Sequence, residues 1–420
     1  MRQTLLIGIT VLAFSGTAVA QLNDLYIRGF VSQGYLNTSH NNYLVEQSKN
    51  GSTEYNEAAI SLQAFPEERL RVGIQLFARD FGDVGNNDVV VDWAYADYQW
   101  RDYLGVRFGK FKTTQGLYGQ GRDIDMLRPT VLLPQAVYIE DHRDFILGAE
   151  GLGIYGNLPM GDVGGFDYEI YGGTLNVPDS ESGFWHDIFA QAGEETARES
   201  RNEEGLPYSD IEFLGLSEPK VRFDWVYGGS LRWNCPVSGF TFGVSALTAR
   251  FDMSARMQYS ALIDDELERP IFIDSRMDYA GDIGRAMVLS AQWSGDKVTL
   301  ISELSQEKVN DALSEGYYVQ GTFRTSPKLT LTSYYSRFVR NKNDDGGALM
   351  IAQGFPDFVA WQNDVCVALR YDYLEHLILK FEYHSIDGMG LLSPVNNDLS
   401  DDDSCQRWWS FMAAKATVHF

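Results

Sequence analysis

The sequence predicts an all-β fold: a transmembrane antiparallel β-barrel of about sixteen strands. Apolar and polar residues alternate with period two along almost the whole chain, and short and long connections follow one another in strict order. A third observation is the closing amphipathic segment, which ends on Phe420. Composition is consistent with this. The 420 residues hold 58 Asp and Glu against 34 Lys and Arg, a formal charge of −24, with 24 Phe, 23 Tyr, 9 Trp and 40 Gly. So many aromatics argue for an ordered chain, and the sign of the charge argues against nucleic acid as a partner. Beyond the first 20 residues no apolar run reaches the roughly 18 residues of a spanning helix.

The first element is an export signal. Arg2 supplies a positive start, Leu5 to Phe14 a short apolar stretch, and Ala18-Val19-Ala20 a small-residue cleavage site. Residues 1–20 are therefore expected to be removed, leaving 21–420 as a single barrel domain. Cys235, Cys366 and Cys405 are too few for a disulfide framework and are expected to be mostly unpaired, a Cys366–Cys405 bridge being the lesser alternative.

The strands come next. Leu70, Val72, Ile74, Leu76 and Ala78 alternate with Arg71, Gly73, Gln75, Phe77 and Arg79. Similar alternation marks Phe240 to Ala246, Leu329 to Thr332 and Asp364 to Asp372. A soluble sandwich alternates too, so the connections decide. Seven short links are read at Pro66–Glu68, Arg101–Asp102, Pro159–Gly165, Pro236–Gly239, Ser294–Asp296, Ser326–Pro327 and Leu374–Glu375. Eight mostly longer polar segments lie between them: Asn37–Ser52, Asp80–Val90, Thr113–Phe145, Thr174–Val221, Phe251–Gly284, Val309–Glu315, Val339–Ala360 and Asp387–Gln406. Strict alternation gives sixteen strands with both ends on the short-turn side; one hairpin more or less gives eighteen or fourteen. This is the layout of an outer-membrane barrel with short periplasmic turns and long extracellular loops. Aromatics near the proposed strand ends, among them Trp93, Tyr95, Trp100, Trp233, Trp293 and Trp409, suit the two membrane–water boundaries.

In Arg407 to Phe420, Met412, Ala414, Ala416, Val418 and Phe420 share one face. Here the chain resembles the Gram-negative outer-membrane porins, in which a final strand ending in Phe closes the barrel and serves as the assembly signal. The stretch from Arg107-Phe108-Gly109-Lys110 to Leu132-Leu133-Pro134-Gln135 looks like porin strand five entering the third loop. The resemblance implies a water-filled channel for passive diffusion of small hydrophilic solutes and ions, a third loop folded into the lumen, and a homotrimer. It also implies contact with outer-membrane lipid, lipopolysaccharide and the barrel assembly machinery. A substrate-specific channel with a binding track, or a non-conducting barrel serving as enzyme, adhesin or scaffold, are the alternatives.

Parity places Arg28, Arg71, Arg79, Arg107, Arg370, Lys380 and Lys415 on the lumen side of one continuous arc of wall. The third loop offers Arg122, Asp123, Asp125, Arg128, Glu140, Asp141 and Asp144. Either these two surfaces face each other across a narrow aqueous gap and set up a transverse field, or the wall charges pair locally, Lys380 with Glu382 and Arg370 with Asp372. The apolar run Val131-Leu132-Leu133-Pro134 is awkward in water and is expected to pack against the wall. Asp398 to Asp403 reads first as a solvated acidic loop and second as a Ca²⁺ or Mg²⁺ site. No nucleophile elbow, zinc-protease helix or haem motif is present, and His376 and His384 lie roughly 26 Å apart along one strand. No catalytic residue, metal or cofactor is expected.

Overall fold

The computed structural model describes residues 25–82, 85–140, 143, 148–175, 177, 183–201, 208–263, 270–309, 312–394, 396–399 and 405–420. Residues 1–20, Asp141, Asp144 and Asp401 to Asp403 lie outside them. Sixteen strands close into one antiparallel barrel in sequence order. They are β1 (Leu25–Thr38), β2 (Tyr55–Glu67), β3 (Leu70–Phe81), β4 (Val90–Arg101), β5 (Leu104–Lys112), β6 (Gly148–Pro159), β7 (Gly165–Leu175) and β8 (Tyr208–Asn234). The second half comprises β9 (Phe240–Ile263), β10 (Pro270–Ser294), β11 (Val298–Val309), β12 (Ala312–Arg324), β13 (Leu329–Val339), β14 (Trp361–Leu374), β15 (Leu377–Gly388) and β16 (Trp408–His419). Helix α1 (Gly183–Arg201) follows β7, and a short helix α2 (Ala348–Ala352) precedes β14. All seven short turns fall where the sequence places them.

Closure is a backbone event. β16 pairs with β1 from Thr38 opposite Phe411 to Phe30 opposite His419, and Phe420 exchanges two backbone hydrogen bonds with Gly29 at 3.0 and 3.1 Å. No strand edge is then left to face hydrocarbon, where an unpaired N–H or C=O would cost several kcal/mol. Each of the sixteen strands presents at least one exposed large apolar side chain on the outer surface, among them Val31, Phe108, Ile170, Val319, Val367 and Val418. Such a continuous apolar band has no place in water and matches the lipid-facing belt of a spanning barrel.

The fourth and fifth long connections depart from expectation. Instead of a loop from Phe251 to Gly284, β9 runs on to Ile263 and β10 begins at Pro270. The polarity of both strand faces inverts on the way up β9. Low on the strand, Phe242 and Val244 point outward and Ser245 inward; higher up, Arg250, Asp252 and Arg256 point outward while Ala249, Phe251, Met253 and Met257 are buried inside. The outer face has left lipid for water, and pairs such as Arg222–Asp252 (3.1 Å) stand on it. The inner face has become a core because α1 lies against it: Trp185, Phe189 and Ala197 join Phe223, Phe251 and Met253 in one cluster. The expected loop Thr174–Val221 thus holds α1 and the first part of β8. Between β11 and β12 only residues 310–311 intervene, fewer than the expected Val309–Glu315 segment.

Candidate channel site

The described residues of loop three, 113–140 and 143 between β5 and β6, lie inside the barrel, packed against the inner wall. The loop's apolar run explains why. Val131, Leu132 and Leu133 are fully buried: the first two pack with Leu36, Tyr55, Ile386 and Phe411 of the wall, and Leu133 with Val288, Ile301 and Tyr318 on another side. Burying one such side chain contributes roughly 1.5–3 kcal/mol, so the three together offset part of the entropy of ordering the loop, and the polar contacts below add to them. Backbone groups are fixed as well. The Glu382 carboxylate on β15 accepts the amide of Val131 at 2.7 Å and that of Leu132 at 3.2 Å. On β11, Glu303 accepts the Leu117 amide (2.8 Å) and the hydroxyls of Tyr138 (2.5 Å), Tyr318 (2.6 Å) and Ser290 (2.5 Å). The loop touches β12 so closely that a Cβ at Gly316 would overlap the Ala136 carbonyl. At Gly116 the backbone turns through φ +59°, a region that favours glycine.

Charge completes the attachment. Asp125 is fully buried and receives Lys380 Nζ at 3.0 Å, Lys415 Nζ at 3.1 Å, Arg128 Nη2 at 3.0 Å and Thr417 Oγ1 at 2.7 Å. Glu57 of β2 binds Arg128 (2.9 Å), Arg143 (2.6 Å) and Lys415. Glu140 binds Arg143 (2.8 Å), Arg79 (3.1 Å) and Arg122 (3.4 Å), and Asp123 binds Arg143 (2.6 Å) and Lys112. Burial alone would raise the Glu140 carboxyl, but Arg143, Arg122 and Arg79 outweigh it and hold it at about 2. Burial likewise opposes, and Lys415, Lys380 and Arg128 outweigh it, in holding Asp125 well below the usual carboxylate range; Lys112 and Arg143 do the same for Asp123.

The expected charge sets therefore meet partly as local pairs and partly as direct contacts between loop and wall. Asp125 and Glu140 are in contact with Lys380, Lys415 and Arg79, so no aqueous gap separates loop from wall there. Lys380 does not pair with Glu382; its ammonium donates to the Asp125 and Thr130 carbonyls at 2.6 and 3.2 Å. Arg370 does pair with Asp372 (2.9 Å), and also donates to the Met126 and Arg128 carbonyls. Arg28 stands exposed near the short-turn end of β1. Trp93, Tyr95 and Trp409 are not boundary aromatics: a Cβ at inward-facing Gly73 would meet Trp93, Arg71 and Arg107 lie over the Tyr95 ring at 5.2 and 4.9 Å, and Trp409 is buried beside Phe411.

Open volume remains beside the loop. A cavity of about 320 Å³ lies between it and the short-turn half of β4 to β10, lined by Arg107, Gln120, Tyr155, Asp167, Glu169, Arg232 and Ser245 among others. Arg107 bonds Glu169 at 3.3 Å and stands 3.5 Å from Asp97, which also takes Arg71 at 2.7 Å. Gln120 of the loop donates to Glu169 at 2.7 Å, so loop and cavity wall share one hydrogen-bonded surface. Glu57, Asp97, Glu169 and Glu303 carry no signal of their own in the sequence, and Glu382 stands out there only as a partner for Lys380, on the same inward face by parity.

Among solved structures, the chain resembles the outer-membrane channel DcaP of Acinetobacter baumannii with a TM-score of 0.52, 9% identity and coverage of 94% of this chain and 97% of that one. It resembles OmpF of Salmonella typhi, solved with daunomycin, with a TM-score of 0.53, 11% identity and coverage of 94% and 97%. An anion-selective porin from Comamonas acidovorans gives 0.51, 9%, 94% and 99%. At these identities the likeness is one of fold. No protein-family model and no curated protein sequence matches the chain.

Proposed function

We propose that this chain, which has the barrel fold of the outer-membrane porins and channels, forms a water-filled pore that lets small hydrophilic solutes and ions diffuse passively across a Gram-negative outer membrane. The supporting observation is a polar cavity held open beside an inward loop, inside a barrel whose outer surface is apolar all round. In this reading residues 1–20 direct export, the barrel assembly machinery reads the segment ending at Phe420, and the mature protein meets lipopolysaccharide as a homotrimer. The protein does no chemistry on its solutes. The lumen path runs along Arg107, Gln120 and Glu169, with the basic arc from Arg79 to Lys415 serving to hold the loop.

The cavity wall carries Asp102, Asp167 and Glu169 against Arg107 and Arg232. Arg107→Gln removes one positive charge, worth about 0.6 kcal/mol to a monovalent ion passing roughly 7 Å away in water, or about threefold in relative permeability. Reversal potentials across a salt gradient should shift toward cations by that amount; unchanged potentials would place the ion path elsewhere.

A second reading, a solute-specific channel, draws on an apolar cavity of about 450 Å³ on the long-loop side, lined by Trp185, Phe251, Met253, Met277, Tyr279 and Phe338. Such a surface in a water-filled mouth would retain solutes with an apolar face, giving uptake that saturates.

A further inference from the structure

Register sets one row of inward side chains across four strands: Tyr334 of β13 lies opposite Cys366 of β14, Cys366 opposite His384 of β15, and His384 opposite Phe411 of β16. Directly opposed residues on one face bring their Cβ atoms to about 4.5–5.5 Å. Glu382 follows two residues away on the same face of β15, and Asp364 two residues away on β14. One donor atom each from Cys366, Glu382 and His384 lies within 4.8 Å of the other two, and all three residues are fully buried.

The histidine is arranged as a ligand would be. Its Nδ1 is held by both Asp364 carboxylate oxygens at 2.9 and 3.0 Å, and its ring is fixed by stacking on Phe411 at a centroid distance of 3.8 Å. An outer carboxylate on one ring nitrogen is the usual partner of a histidine that offers the other nitrogen to a metal. That other nitrogen, Nε2, meets no partner in good hydrogen-bond geometry, although it stands 3.2 Å from Glu382 Oε1 and the ring lies within hydrogen-bonding reach of the Cys366 thiol. With metal–ligand lengths of about 2.0–2.1 Å, the edge of a tetrahedral zinc site is about 3.3 Å. The Tyr334 hydroxyl, on the same row, is also buried without a hydrogen bond.

We propose that Cys366, His384 and Glu382 form a binding site for one Zn²⁺-class transition-metal ion, supported from behind by Asp364. A sulfur, nitrogen and oxygen donor set selects zinc-class ions over Ca²⁺ and Mg²⁺, which take oxygen alone. The Cys366 thiol releases its proton to solvent as the metal–sulfur bond forms, and the resulting thiolate with the Glu382 carboxylate balances the two positive charges of the ion. A water or the Tyr334 hydroxyl completes the tetrahedron. Because Glu382 also accepts the Val131 and Leu132 amides, the ion ties two wall strands to the inward loop.

The test is refolding of the untagged chain with Co²⁺ in place of zinc, followed by metal analysis and absorption spectroscopy, with circular dichroism to show a folded barrel. The expected result is about one Co²⁺ per chain with tetrahedral visible bands and a thiolate-to-cobalt charge-transfer band. Cys366→Ser should abolish that band while Cys235→Ser and Cys405→Ser keep it, and Asp364→Asn should weaken binding on the order of 10–100-fold. A folded wild-type barrel that holds no Co²⁺, or holds it without the charge-transfer band, overturns the proposal even if the variants fail to fold. So does a band that survives Cys366→Ser; the row is then a hydrogen-bonded part of the wall.

Discussion

Asp125→Asn is expected to free the inward loop at neutral pH. The substitution keeps the shape of the side chain but leaves Lys380, Lys415 and Arg128 buried without the carboxylate that now lies 3.0 to 3.1 Å from each. Removing one partner of a buried ion pair typically costs about 3–5 kcal/mol, because a charge is left desolvated and uncompensated. The sixteen-strand ladder does not depend on this residue, so the barrel should persist while the loop leaves the wall. Single-channel recordings should then show larger and noisier openings than the wild type, and proteolysis from the lumen should reach the loop. Removing a cation at the same time, in Asp125→Asn with Lys380→Met, should recover part of the loss, since Lys415 and Arg128 keep Glu57 as a partner while the ion pair of Lys380 is with Asp125. Wild-type openings unaltered by Asp125→Asn would mean that the charge cluster does not hold the loop.

Acid should reproduce the effect only at extreme pH. Glu140 titrates near 2 in the folded protein and near an ordinary glutamate value of about 4.3 when the chain is unfolded. A carboxyl depressed by folding contributes fully above the unfolded value and loses that contribution as pH falls through the folded one. Asp123 and Asp125 are held low as well, so the wild-type loop should stay in place at pH 5 and come free toward pH 2.

The second large effect concerns the outer face. Val367, mid-strand on β14, is 57% exposed on the apolar belt. Val367→Arg should destabilise the folded barrel by about 2–4 kcal/mol in lipid, the cost of a guanidinium near the bilayer midplane. Ser254→Arg on β9 lies where the outer face already carries Arg250, Asp252 and Arg256, and should be nearly neutral. Equilibrium unfolding in vesicles compares them; equal costs would remove the membrane boundary drawn across β8 to β10.

These particulars show what could be read from the sequence. Strand number, turn positions and closure at Phe420 were legible because a period of two and a short–long rhythm of links are local properties. The upper halves of β9 and β10 were not, although Ala249 to Ala261 alternates as regularly as Leu70 to Ala78. Alternation shows that one face is apolar but not whether lipid or a packed helix covers it, and here the apolar face turns inward onto α1. The inward course of loop three was legible in its buried Val131-Leu132-Leu133 run. The partners of its charges were not, because Asp125 meets Lys380 and Lys415 across more than 250 residues of chain. Parity gives the face of a residue but not its height along the barrel, and so could not tell a charge that lines the open cavity, such as Arg107, from one sealed beneath the loop, such as Lys415.

The most direct test of the account is single-channel conductance of the refolded wild-type protein in a planar bilayer. Discrete, long-lived openings that pass small ions, smaller than those of Asp125→Asn, are the result expected of an aqueous pore narrowed by a fastened loop. A preparation shown to be folded that conducts nothing would contradict the channel reading.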